Sequence, residues 1–165
     1  MPFAVLDIQL EPAPARKGRV VDTEGNPVSD AQVVVGTPTW VPHTDNGKPD
    51  SYGERIVQAD SDGRFRLNAT NEPIRVRALH PSGISEKLVA PEDDVIGDLR
   101  IQPWASVSGQ LIQDGQPIGD QRISFRPLVR RGLGEARFQD SYYATTSSDG
   151  RFSFKRPCLL LARVS

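Results

Sequence analysis

The sequence repeats itself, and the repeat limits what the chain can fold into more than any other feature. Asp7–Gly18 (DIQLEPAPARKG) aligns with Asp98–Gly109 (DLRIQPWASVSG) at a constant offset of 91 residues. Ile8 then answers Leu99, Leu10 answers Ile101, Pro12 answers Pro103 and Gly18 answers Gly109. The match runs on from residues 18–35 (GRVVDTEGNPVSDAQVVV) to 109–125 (GQLIQDGQPIGDQRISF). It resumes from Ser61–Phe65 to Ser148–Phe152, both of which read SDGRF. A fixed period marks a modular array, here with units of about 90 residues. A unit of that size can bury its own core with modest stability in reserve. The repeat also gives every candidate residue an internal control, its counterpart in the other copy.

Apolar residues alternate in Leu6/Ile8/Leu10, Val33/Val35, Phe65/Leu67, Ile74/Val76/Ala78, Leu99/Ile101, Ile123/Phe125 and Phe152/Phe154. Period two is the pattern of a strand with one buried face. No window carries the i, i+3, i+4, i+7 stripe of an amphipathic helix, so helix is expected to be almost absent. The 14 glycines and 14 prolines supply turns between short strands. Asp22–Pro27 and Gln113–Pro117 each hold a Gly suited to positive φ and a Pro that fixes its own φ. Asp62-Gly63 and Asp149-Gly150 read as hairpin turns.

The predicted fold is all-β: tandem antiparallel Greek-key β-sandwiches of prealbumin-like or Ig-like type, with about seven strands per copy. Residues 1–17 form a leading strand from a preceding repeat or linker, 18–103 the first unit and 104–165 the second. The second copy has no counterpart for residues 80–97 and is expected to be incomplete, with an open edge. Residues 3–10 are available as a closing strand, for the second copy or for a unit upstream. The chain therefore reads as a piece of a longer array.

Charge and hydropathy exclude several partners. A net charge of −1 leaves no electrostatic footprint for nucleic acid or an anionic membrane surface. Nothing approaches 18 consecutive apolar residues, so no membrane insertion by this segment is expected. The N-terminus (MPFAVLDIQLEP) lacks the basic and apolar regions of a signal peptide. Cys158 is the only cysteine, which rules out an intrachain disulfide, and it reads as a buried residue within its Leu-rich run.

The run Gly18–Val35, with Gly25, Pro27 and Ala31, followed by Ala59–Leu67 with Asp62, Gly63 and Phe65, resembles the carboxypeptidase regulatory-like domain. This is the transthyretin-like, or prealbumin-like, β-sandwich. The second copy carries the same pattern at Gly109, Gly115, Pro117, Asp149, Gly150 and Phe152. The resemblance implies a non-catalytic appendage: a spacer or binding module in a larger, exported or cell-envelope bacterial protein. Extracellular, periplasmic or envelope placement and contact with neighbouring domains of a parent chain follow from it.

Enzymes on related folds can be tested by their ligands. Zinc carboxypeptidase chemistry needs two His and a carboxylate on one metal, and His43 and His80 have no such spacing. Intradiol dioxygenases share a very similar opening stretch but need a close His pair beside two Tyr. Hydroxyisourate hydrolases end in Tyr-Arg-Gly-Ser, where this chain ends Ala-Arg-Val-Ser. No enzymatic activity and no cofactor are expected.

Asp60 and Asp62 have the spacing of a calcium loop, but Ser147 stands where Asp60 does, and only the Asp-Gly pair recurs. The turn explains what both copies keep. Specific function is expected where the copies differ. Thr37–Tyr52 is a long polar insertion carrying Trp40, His43, Asp45 and Tyr52, a candidate ligand loop for a polysaccharide or protein partner. Through Trp40 and Tyr52, a carbohydrate-binding module is the alternative reading. Arg126, Arg130, Arg131 and Arg137 form a candidate anion loop. Lys17 occupies a strand position suited to an isopeptide cross-link, but no Asn partner is evident, and Trp104 reads as a packing residue between copies.

Overall fold

The computed structural model describes residues 15–50, 56–127 and 135–156. Among them are sixteen strands and no helix, so the fold is an all-β sandwich. One sheet holds β1 (Ala15–Val21), β6 (Arg64–Asn68) and β9 (Val95–Arg100), in the order β6-β1-β9. In it β1 runs antiparallel to β6 and parallel to β9. A five-stranded sheet lies opposite: β2 (Gln32–Gly36), β5 (Ile56–Gln58), β7 (Ile74–His80), β8 (Gly83–Val89) and β10 (Gln102–Pro103), in the order β10-β8-β7-β2-β5. The alternating residues Val33, Phe65, Leu67, Ile74, Val76 and Ala78 meet Val20, Val89, Ile96 and Leu99 in one buried cluster. Alternation puts every second side chain of each strand on that face.

The rest of the chain forms smaller sheets. Here β11 (Ser106–Gln110) pairs with β16 (Arg151–Lys155), and β12 (Ile112–Gln113) with β13 (Gln116–Pro117). A four-stranded sheet runs β14-β15-β3-β4, from β14 (Arg122–Phe125), β15 (Gln139–Thr145), β3 (His43–Asp45) and β4 (Lys48–Pro49). Phe125, Tyr142, Phe152 and Phe154 pack their rings together, with neighbouring centroids 5.5 to 5.8 Å apart.

Several positions matched by the sequence alignment make the same backbone hydrogen bonds. Val20 N–H donates to Gly63 O at 2.7 Å, and its counterpart Leu111 N–H donates to Gly150 O at 2.8 Å. Val28 N–H donates to Val20 O as Ile118 N–H does to Leu111 O, both at 3.0 Å. Asp60 and Ser147 N–H donate to the carbonyls of Arg64 and Arg151, both at 2.9 Å. Gly63 and Gly150 have φ of 72° and 75°. A Cβ at Gly63 would lie 2.3 Å from Val20 O, and one at Gly150 2.5 Å from Leu111 O. Only Gly fits that approach.

One expectation is corrected here. Asp62-Gly63 and Asp149-Gly150 do not close hairpins. The strand before Asp62, β5, pairs with β2, while the strand after it, β6, pairs with β1 in the opposite sheet. The turn carries the chain from one layer to the other. Asp60 Oδ1 accepts the N–H groups of Asp62 and Arg64 at 2.9 and 2.8 Å, closing the turn from its side chain. Asp114-Gly115, at φ 51° and 77°, does close a two-residue hairpin, between β12 and β13.

Gly63→Ala should lower stability by about 2 kcal/mol or more, since it combines left-handed strain with a backbone clash. Gly25→Ala is the control, because φ is 93° there but nothing lies within 4 Å. It should cost about 1 kcal/mol, from strain alone. Urea midpoints at unchanged m-value measure both.

Candidate functional site

The insertion that the second copy lacks is largely not an open loop. Asn46 and Gly47 take φ of 51° and 72° between the register partners Asp45 and Lys48, forming a two-residue hairpin. The free edge of that hairpin, β3, pairs in parallel with β15, placing His43 beside Gln139, Thr44 beside Asp140 and Asp45 beside Ser141. Gln139 N–H donates to Pro42 O at 3.0 Å, Asn46 N–H to Ser141 O at 2.9 Å, and Tyr143 N–H to Asn46 Oδ1 at 2.9 Å. A strand from the first half of the chain therefore belongs to a sheet of the second.

Beneath this pairing lies a buried charge cluster. Arg77 stands on the face of β7 opposite the core, and its side chain is 1% exposed. Its Nε and Nη2 donate to Glu86 Oε2 at 2.9 and 2.6 Å. Its Nη2 also donates to Asp140 Oδ2 at 3.1 Å, and its Nη1 to Asp140 Oδ1. The Thr44 hydroxyl donates to Asp140 Oδ1 as well. Arg75 joins through Nη1 to Glu86 Oε1 at 3.1 Å and donates its Nε to Ala136 O at 2.8 Å. Two cations thus meet two anions, and the Phe138 ring stacks on Arg77 at 4.0 Å. Beside the cluster, Val34, Leu79 and Ile84 of the five-stranded sheet are covered by Ile56, Trp104 and Phe138. Trp104 Nε1 donates to His80 O at 2.8 Å.

The site residues expected from sequence fall in separate places. Thr44, which no expectation singled out, is 1% exposed and aims at Asp140, while its neighbours His43 and Asp45 point to solvent. Trp40 is 37% exposed and sits in a tight turn, with Thr37 N–H donating to Trp40 O at 2.8 Å. The cavity lined by Trp40, Val41, Pro42, His43 and Pro49 measures about 240 Å³. That is below the roughly 300 Å³ at which small-molecule pockets begin. Tyr52, Arg130, Arg131 and Cys158 lie outside the described residues. Asp60 and Asp62 serve their own turn, Asp62 Oδ2 accepting from Arg64 at 2.9 Å. Among the described residues no three His, Cys, Asp or Glu side chains converge on one point. Lys17 is exposed on β1.

Arg126 and Arg137 are both exposed but do different work. Arg137 brings its carbonyl close to Gly36. Arg126 hydrogen-bonds the Tyr143 side chain and, with a hydrogen bond from Ser141, holds that phenol below the ordinary tyrosine range. Arg122 stacks on the same ring at 4.3 Å.

No protein-family model matches the sequence, and no curated protein matches it. Among solved structures, a streptococcal ancillary pilin is similar at 12% identity and a TM-score of 0.37. The match covers 86% of this chain and 49% of the pilin, so the chain spans about half the length of that structure.

Arg126→Ala should move the Tyr143 ionisation upward, toward the ordinary value near 10. Difference ultraviolet titration of the wild type against the variant measures it, and an unchanged phenolate curve contradicts the contact.

Proposed function

We propose that the chain is a non-catalytic structural segment of a larger cell-envelope protein: two tandem transthyretin-like units, 18–103 and 104–165, held as a stiff spacer. What supports the reading is the use made of the unshared insertion. Its hairpin completes a sheet of the second half, and its Thr44 adds a hydrogen bond to the charge cluster between the halves. The Thr37–Tyr52 segment is then a fastening between units rather than a sugar platform. A spacer transmits position only if its units do not swing, and inter-domain motion is the default where an interface is small or wet. The buried cluster and the shared sheet oppose such motion.

Backbone amide relaxation should give one rotational correlation time for both halves in the wild type. Asp140→Arg, which sets a third cation against Arg75 and Arg77, should give two. Two correlation times in the wild type would contradict the stiff spacer. Polysaccharide pull-down lost on Trp40→Ala would contradict its non-binding role.

A further inference from the structure

The net charge of −1 conceals one local excess of cations. In the sheet β6-β1-β9, Val20, Phe65 and Leu67 face the core, so alternation turns Lys17, Arg19, Arg64 and Arg66 outward. Lys17 stands directly opposite Arg66, and Arg19 directly opposite Arg64. Like charges facing each other across strands destabilise a sheet. The second half of the chain shows that such a pairing does not require them. There β11 meets β16 in the same register, Gly109 opposite Phe152 as Gly18 is opposite Phe65. Ser108 and Ser153 stand where Lys17 and Arg66 do, and Gln110 and Arg151 where Arg19 and Arg64 do. At the matching positions, Arg151 is the one cation kept.

Acidic neighbours do not balance the excess. Asp62 pairs with Arg64 at 2.9 Å, and its carbonyl accepts Arg19 Nε at 3.2 Å. Asp98 stands opposite Arg19, and Asp60 is engaged by the N–H groups of its own turn. Among the described residues no ion pair reaches Lys17 or Arg66, and both side chains are exposed. A cavity of about 600 Å³ lies over the four cations, with Val95 and Gly97 on its β9 side. Arg66 and Val57 also line a second cavity of about 350 Å³, together with Thr39, Asn68, Thr70 and Glu72. Both volumes fall in the range of ligand sites. Charge therefore sits beside a cleft of hydroxyls, an amide and a carboxylate.

These features select a ligand class. Strand geometry sets the cations about 7 Å apart along β1 and β6 and about 5 Å apart across them. An extended polymer with acid groups at such intervals meets several cations at once, and each Arg offers it a two-pronged donor. A single-stranded nucleic acid needs aromatic rings for its bases to stack on. Among the described residues, Phe65 is the one ring on either cavity wall, and it is 3% exposed. A protein partner needs an apolar centre, and on this face Val95 is the one exposed large apolar side chain among the described residues. We propose that the outer face of β6-β1-β9, with the cleft beside Arg66, binds an acidic polysaccharide. Lys17 and Arg66 meet its acid groups, and Thr39, Asn68 and Glu72 meet its hydroxyls. This goes beyond the spacer reading and does not use Trp40.

Isothermal titration of the whole chain with polygalacturonate tests the proposal, against neutral dextran, poly-glutamate and oligothymidylate. Polygalacturonate should bind more tightly than poly-glutamate or oligothymidylate, and dextran should not bind. Added salt should weaken the binding, because the cations are exposed. Lys17→Ser with Arg66→Ser, which copies Ser108 and Ser153, should weaken it about tenfold or more. The urea midpoint of that variant should not fall, since the change removes a like-charge pair. Arg151→Ser with Lys155→Ser removes the same charge from β16 and should leave binding unchanged, as should Trp40→Ala. No binding of polygalacturonate, or tighter binding of poly-glutamate or oligothymidylate, overturns the proposal. So does an unchanged affinity in the Lys17 and Arg66 variant, or an equal loss in the β16 or Trp40 variants. A clear fall in the urea midpoint on replacing Lys17 and Arg66 would make those cations structural and overturn it too. None of these results alters the correlation times of the two halves, so this proposal and the stiff spacer fail separately.

Discussion

Arg77 sets the terms on which the two halves of the chain meet. A guanidinium taken out of water costs several kcal/mol unless its charge and its N–H groups are matched. Glu86 supplies one carboxylate from the adjacent strand of the same sheet, and Asp140 supplies the other from β15, far away in sequence. Displacing β15 would leave Arg77 half-matched inside a dry contact. Such a cluster adds less to net stability than its geometry suggests, but it penalises misplacement heavily. Its effect here is to fix one docking of the second half on the first. The parallel pairing of β3 with β15 and the stacking of Phe138 follow from that docking.

The two halves of the chain share backbone hydrogen bonds but not depth of burial. Both halves of the chain use the same glycine turn to pass from one sheet to another, with Val20 donating to Gly63 O and Leu111 to Gly150 O. The first half then adds β7, β8 and β9 and reaches full burial at Val20, Val33 and Ile96. The second has Ile118, Ile123 and Phe125 only half-buried. Local stability follows buried apolar contact, so the second half should open more readily than the first.

Much of the fold was legible in the sequence because alternation is a local signal. Ile74/Val76/Ala78 and Phe65/Leu67 announced strands, and each buries the face it announced. Turn residues were legible as turns but not as connections. Nothing in Asp62-Gly63 says whether its flanking strands join one sheet or two, because their partners are distant. The hairpin inside the insertion did carry a signal, Asn46-Gly47. The length and polarity of the segment hid it. The charge cluster was the least legible part. In Ile74–His80 the arginines fall on the alternate face, which reads as the solvent side of a strand. That face is dry because another part of the chain covers it, and no local pattern encodes such a cover.

The most direct test of this account is a double-mutant cycle on Arg77 and Asp140, read by urea unfolding of the whole chain. Arg77→Met and Asp140→Leu should each cost roughly 3–5 kcal/mol, since each leaves buried charge without its partner. Made together, they should cost far less than the sum, with a coupling of about 2 kcal/mol or more. Single costs that simply add, within about 0.5 kcal/mol, would mean that Arg77 and Asp140 do not hold the halves together.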